Sequence, residues 1–166
     1  LRSGVINERQ SRIGKAKRRL NRSLELLETA EAYNTLGAIA EREGNLRQAE
    51  ELYARAAQDS GVAGQTALTS LVSLRSKSNP AALVSMRWGV GADGKVLIEA
   101  TNKTPRTLMG IDLQIRLVDA QGISRSYNQR LVSLSPGQVT FVSTGLRPGS
   151  GQVQLSIASI ETVQGG

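Results

Sequence analysis

Ser78-Asn79-Pro80-Ala81-Ala82-Leu83-Val84-Ser85-Met86-Arg87-Trp88-Gly89-Val90 is the stretch where the chain changes its period. Beyond Pro80, Val84, Met86, Trp88 and Val90 recur at every second residue, which is the mark of a half-buried strand. Leu113, Ile115 and Leu117 repeat the alternation, and so do Val153, Leu155 and Ile157. Before Ser78 the pattern is helical. From Glu31 to Gln58 there is no proline, and Ala, Leu, Glu and Arg dominate, all good helix formers. Turn residues separate the alternating runs at Gly91-Ala92-Asp93-Gly94, Ala120-Gln121-Gly122, Ser135-Pro136-Gly137 and Pro148-Gly149-Ser150-Gly151.

Strands are therefore expected near 83–90, 95–102, 108–118, 123–131, 138–144 and 152–161. Short strands with frequent turns indicate a sandwich of the immunoglobulin type. The length fits one ordinary domain or two small ones. The 166 residues are 39% hydrophobic and 21% charged, enough apolar material for a core. Aromatics are limited to Tyr33, Tyr53, Trp88, Tyr127 and Phe141, so the core is mostly aliphatic. Trp88, alternating with Met86 and Val90, is expected in that core.

Cysteine and histidine are both absent. Disulfides, thiol chemistry, zinc fingers, haem ligation by His and all Ser-His or Cys-His nucleophile systems are excluded with them. No apolar run approaches the ~20 residues of a membrane helix. The first residue is Leu1, which reads as a processed chain or an excised fragment and leaves an upstream signal or anchor open. The net charge of +7 is uneven: residues 1–28 carry eight basic groups against three acidic, whereas 29–60 carry three against six. The charge suits an acidic partner, or only solubility.

The helical half contains a repeat. With a shift of 33, Gly4, Ile6, Glu8 and Arg9 fall on Gly37, Ile39, Glu41 and Arg42, and Ala16, Leu20 and Arg22 fall on Ala49, Tyr53 and Arg55. That period belongs to two-helix solenoid units. Tyr33, Leu36 and Gly37, followed by Ala49, Tyr53 and Ala56, match the tetratricopeptide repeat at its bulky, Leu-Gly and small–aromatic–small positions. The chain resembles that family over residues 1–63, as about one and a half repeats. Small Gly37, Ala49 and Ala56 let two antiparallel helices approach, with Tyr33, Leu36, Leu52 and Tyr53 between them and Gly44-Asn45 at the turn. Residues 62–76 are expected to add a helix carrying Leu68, Leu71, Val72 and Arg75 on one side, capping the array.

The alternating half resembles the immunoglobulin-like domains named after an FxLYD motif. Ile115-Arg116-Leu117-Val118-Asp119 stands at the naming motif, Asn102-Lys103-Thr104-Pro105 at an upstream loop, and Leu134-Ser135-Pro136-Gly137 at a downstream turn. Such modules are not catalytic and occur on exported bacterial proteins. The resemblance implies a binding module in a bacterial periplasm or cell envelope. The lack of cysteine fits that compartment and the cytoplasm equally.

Two surfaces carry the functional expectations. On a helix through 12–27, Ile13, Ala16, Leu20, Leu24 and Leu27 form one face, and Arg12, Lys15, Arg18, Arg19 and Arg22 gather opposite. This ridge could follow phosphates, anionic lipid heads or an acidic protein, or be a solvated outer face. Nucleic acid is the weakest of these, because no aromatic interleaves the cations. By resemblance to the repeat family, Glu31, Asn34, Ala38, Glu41 and Arg42 line a concave partner-binding groove, unless upstream repeats cover it. Glu41/Glu43 and Glu50/Glu51 read as solvated ion pairs with Arg42, Arg47 and Arg55, and Asp93, Asp112 and Asp119 as strand-end and turn residues. Gly89 to Gly94 reads as a hairpin, not a phosphate loop.

The expected fold class is thus α+β: tetratricopeptide-like antiparallel helices over 1–78, then a small immunoglobulin-like antiparallel β-sandwich over 82–163. The expected function is a non-catalytic protein–protein interaction module, an adaptor or assembly component of a bacterial cell-envelope complex, with no enzyme activity, cofactor or metal. The alternatives are an accessory segment of an envelope enzyme whose active site lies upstream, and a binder of anionic surfaces through the basic helix.

Overall fold

The computed structural model describes residues 2–26, 28–148 and 151–164. Leu27 and residues 149–150 lie outside the described residues, as do the side chains of Gly4, Ile6, Glu8 and Arg9. The architecture is α+β: four helices precede an antiparallel β-sandwich. The helices are α1 (Arg2–Leu26), α2 (Ala30–Arg42), α3 (Leu46–Ala56) and α4 (Val62–Ser78). A 3-10 turn over Pro80–Ala82 leads into β1 (Val84–Val90), β2 (Val96–Asn102), β3 (Thr107–Val118), β4 (Ser124–Leu134), β5 (Val139–Ser143) and β6 (Gln152–Gln164). The chain divides into two compact units, Leu1–Leu71 and Val72–Gly166, and the division falls inside α4.

In the first unit, local chemistry sets the helix ends. The Thr29 hydroxyl accepts from the Ala32 amide and caps α2. At the other end, Gly44 takes φ +81°, its amide donates to the Glu41 carbonyl, and the Asn45 amide donates to that of Ala40. That pair of bonds satisfies two last-turn carbonyls and reverses the chain within three residues. The α2–α3 hairpin then closes on a small residue. An added Cβ on Gly37 would stand 2.7 Å from the Tyr53 ring, so the ring packs flush on α2 only because position 37 is glycine. Ala49, Tyr53 and Ala56 are buried with Tyr33, Leu36 and Ala40. From α4, Ala67 joins Tyr33 and Ala56 in one apolar cluster, with Leu24, Leu52 and Ala57 packed against it.

In the second unit, one sheet has the order β1-β2-β5 and the other β4-β3-β6. Register assigns the faces. Val96, Ile98 and Ala100 of β2 point inward and are fully buried, as are Ile111, Leu113 and Ile115 of β3. The β1–β2 hairpin turns through Gly91 to Lys95, the Gly91 amide donating to the Lys95 carbonyl at 2.8 Å.

Trp88 departs from its expected place. It pairs with Ile98 and keeps the inward parity, yet it is 43% exposed. The reason is its strand: β1 has a partner on one side only, so its far end, Trp88 and Val90, is covered incompletely. Asp112 is likewise not a strand-end residue. It lies mid-β3 on the outer face, opposite Arg130 and Ser159, which both donate to its carboxylate.

The two loops quoted for the sandwich resemblance meet at one residue. Buried Asn102 donates through Nδ2 to the carbonyls of Arg106 (2.7 Å) and Leu134 (2.9 Å), and its Oδ1 accepts from the Thr104 amide. Its backbone carbonyl accepts from the Gly137 amide. A single side chain therefore ties the end of β2 to the end of β4 across the two sheets, with its hydrogen-bonding capacity nearly filled.

Candidate functional site

The helical hairpin has a packed face and an outer face. At 100° per residue, Tyr33, Leu36 and Ala40 occupy one side of α2, and Glu31, Asn34, Ala38, Glu41 and Arg42 fall within one arc of about 100° on another. Glu31 and Arg42 are exposed at the first and last turns of the helix, and Asn34, Ala38 and Glu41 on the same face are half-buried. The five predicted residues thus share one face. Glu41 is engaged within the hairpin: its Oε2 accepts from the Tyr53 hydroxyl at 2.9 Å. Burial, then that bond to an anion, push the Tyr53 phenol up to about 12. Asn34 differs. Its Oδ1 is shut off from solvent and has no hydrogen-bond partner among the described residues. An orphaned amide oxygen of this kind costs ~1–3 kcal/mol.

A second feature of the hairpin is the pair Arg55 and Tyr33. The guanidinium sits 5.6 Å from the ring centroid and its Nη1 donates to the Tyr33 hydroxyl at 3.4 Å. The carboxylates expected to be solvated do find cations: Glu43 pairs with Lys17 of α1, and Glu51 with Arg47 one turn earlier.

On α1, Arg12, Lys15, Arg18, Arg19 and Arg22 are all exposed. They span about 15 Å of the helix axis at 1.5 Å per residue. Ala16, Leu20 and Leu24 on the opposite side are partly buried, and Ile13 is at the limit of cover with 37% exposure. The basic ridge and the α2 arc lie on different helices of one unit.

Among the described residues no group of three acidic side chains is placed to hold a metal ion, and no helix is long and apolar enough to cross a membrane. Asp93 and Asp119 serve turns. Asp119 Oδ1 accepts from the amides of Gln121 and Ile123, and Asp93 Oδ1 from that of Lys95. The Lys95 amide and ammonium hold the exposed Asp93 carboxyl below its ordinary pKa. On the outer face of the second sheet, Arg130 bridges Glu161 and Asp112, and those anions raise its pKa.

Arg125, Tyr127 and Arg147 were not among the residues singled out from sequence. They come together at one end of the sandwich, from β4 and from the segment after β5. Their separation in the chain leaves no local motif to read. No family model, curated protein or solved structure matches the chain.

Proposed function

We propose that the chain is a non-catalytic protein–protein interaction module, an adaptor or assembly component, acting in a bacterial cell envelope. The observation that carries this reading is the α2 arc. Its Tyr33, Leu36 and Ala40 side is spent on packing, while Glu31, Asn34, Ala38 and Arg42 remain on a separate face with opposite charges at its ends. The small residue at 38 leaves room for a partner's side chain, and the charged ends orient it. The tetratricopeptide-like pattern of Tyr33, Leu36, Gly37, Ala49, Tyr53 and Ala56 supports the same reading, because such helices serve as docking walls. The envelope location rests on the FxLYD-like resemblance of the sandwich.

The test is a photo-crosslinking residue placed at position 38 of the full chain, with position 62 at the exposed start of α4 as control. A discrete protein adduct is expected from 38 alone, and lost when Glu31→Arg and Arg42→Glu are combined. No adduct at 38, or the same adduct from 62, overturns the proposal.

A second reading has its own observation, the exposure of all five cations of the α1 ridge. Each cation near an anionic membrane contributes ~1 kcal/mol, so five make a workable electrostatic anchor. Binding to vesicles rich in phosphatidylserine should weaken steeply with salt and vanish in the triple variant Arg18→Glu, Arg19→Glu, Arg22→Glu. Binding indifferent to both removes this reading.

A further inference from the structure

One of the open sheet edges, β4, runs beside a basic cleft. In the order β4-β3-β6, β4 pairs with β3 on one side, and among the described residues no main-chain partner occupies its other side. This leaves 11 residues of strand, Ser124–Leu134, with half their amides and carbonyls unengaged by backbone. Such an edge is a ready template for another strand.

In its first half β4 turns Arg125, Tyr127 and Gln129 inward, since their register partners are Leu117, Ile115 and Leu113. Core-side positions on a strand are ordinarily apolar. Here Arg125 and Tyr127 line a cleft of about 410 Å³, whose other wall is Leu146 and Arg147. Both walls are pinned. The Asp119–Ile123 turn is held by four hydrogen bonds, two of them to the Asp119 carboxylate. Leu146 is held by its carbonyl, which accepts from the Val96 amide at 2.7 Å, and by its amide, which donates to Thr144 Oγ1. The cleft needs no rearrangement to exist.

Its charge is unbalanced. Arg125 and Arg147 stand in it without an ion pair among the described residues, and the one acidic group in the lining, Asp119, is taken up by its own turn. Leu117, Ile123 and Leu146 add aliphatic surface, Ile123 being 60% exposed.

We propose that β4 accepts an extended acidic segment of a partner protein as an added strand, with an acidic side chain between Arg125 and Arg147 and the next inward side chain aliphatic. Pairing along β4 sends alternate side chains into the cleft, about 6.8 Å apart, which matches the spacing from Arg125 to Tyr127. The main chain supplies the pairing and the two guanidinium groups supply the selection for an anion. This extends the interaction reading to the sandwich but uses none of the α2 residues, so each can fail alone.

The test uses the full chain and a blocked heptapeptide in which threonines alternate with glutamate, valine and valine. The peptide should bind and slow amide exchange along 124–134. Replacing its glutamate by glutamine should weaken binding about tenfold, as should Arg125→Gln or Arg147→Gln, the loss expected for one charge-assisted hydrogen bond. Unchanged melting temperatures show that the variants fold. No binding at millimolar peptide, binding without protection of β4, or binding indifferent to both arginines overturns the proposal.

Discussion

Gly37 and Tyr53 show how much one contact decides. A methyl group at 37 must displace the Tyr53 ring, which is itself buried and cannot swing into solvent. Gly37→Ala is expected to destabilise the helical unit by ~1–3 kcal/mol despite the better helix propensity of alanine, because overpacking outweighs it. Urea unfolding followed by far-ultraviolet circular dichroism reads the loss. Tyr53 also makes a pH prediction. Its folded pKa of about 12 exceeds the ordinary 10.0, so between these values the folded chain keeps a proton that the unfolded chain has released. The associated stability is present in full below pH 10 and is lost as the pH rises toward 12. In Tyr53→Phe that part of the alkaline decline disappears; an unaltered decline between pH 10 and 12 refutes the assignment.

At the scale of elements, the ends of strands matter more than their middles. The β2–β3 loop reaches the end of β4 through Asn102, whose amide serves two carbonyls and one amide in a dry site. Asn102→Ala leaves the Arg106 and Leu134 carbonyls and the Thr104 amide short of a partner. The expected cost is ~2–3 kcal/mol, and Asn102→Asp should be no better, since it replaces the donating Nδ2 with an acceptor. Thermal unfolding of both variants, followed by Trp88 fluorescence on the same sheet, measures it. A loss under ~0.5 kcal/mol, the range of an ordinary surface change, means the staple is not needed.

Across the molecule, the strand order predicts a ranking of local stability. β2 and β3 are central in their sheets and bonded on both sides, whereas β1 and β4 are edges. Amide exchange should be slowest in β2 and β3, intermediate in the α2–α3 hairpin, and fast at alternate amides of free β4. Uniform protection along β4 in the isolated chain means that its edge is already covered.

Most of the architecture was legible in the residues. The switch from helical to alternating period at Ser78-Asn79-Pro80 separates helices from strands, and all six strands fall within a few residues of the expected spans. The reason is local: period, glycine turns and small–aromatic spacing depend on neighbours in the chain. The α2 face was legible for the same reason, since one helix turn brings its members together. Strand order was not. That β1 and β4 are edges follows from long-range pairing, and it explains the exposure of Trp88. The meeting of Asn102 with Leu134, and of Arg125 with Arg147, joins segments 32 and 22 residues apart in sequence, where no periodicity carries information. Sequence alone settled which elements form and which side of each is apolar; folding in three dimensions decided which edges stay open and which distant polar groups share a site, because those depend on contacts that no local pattern encodes.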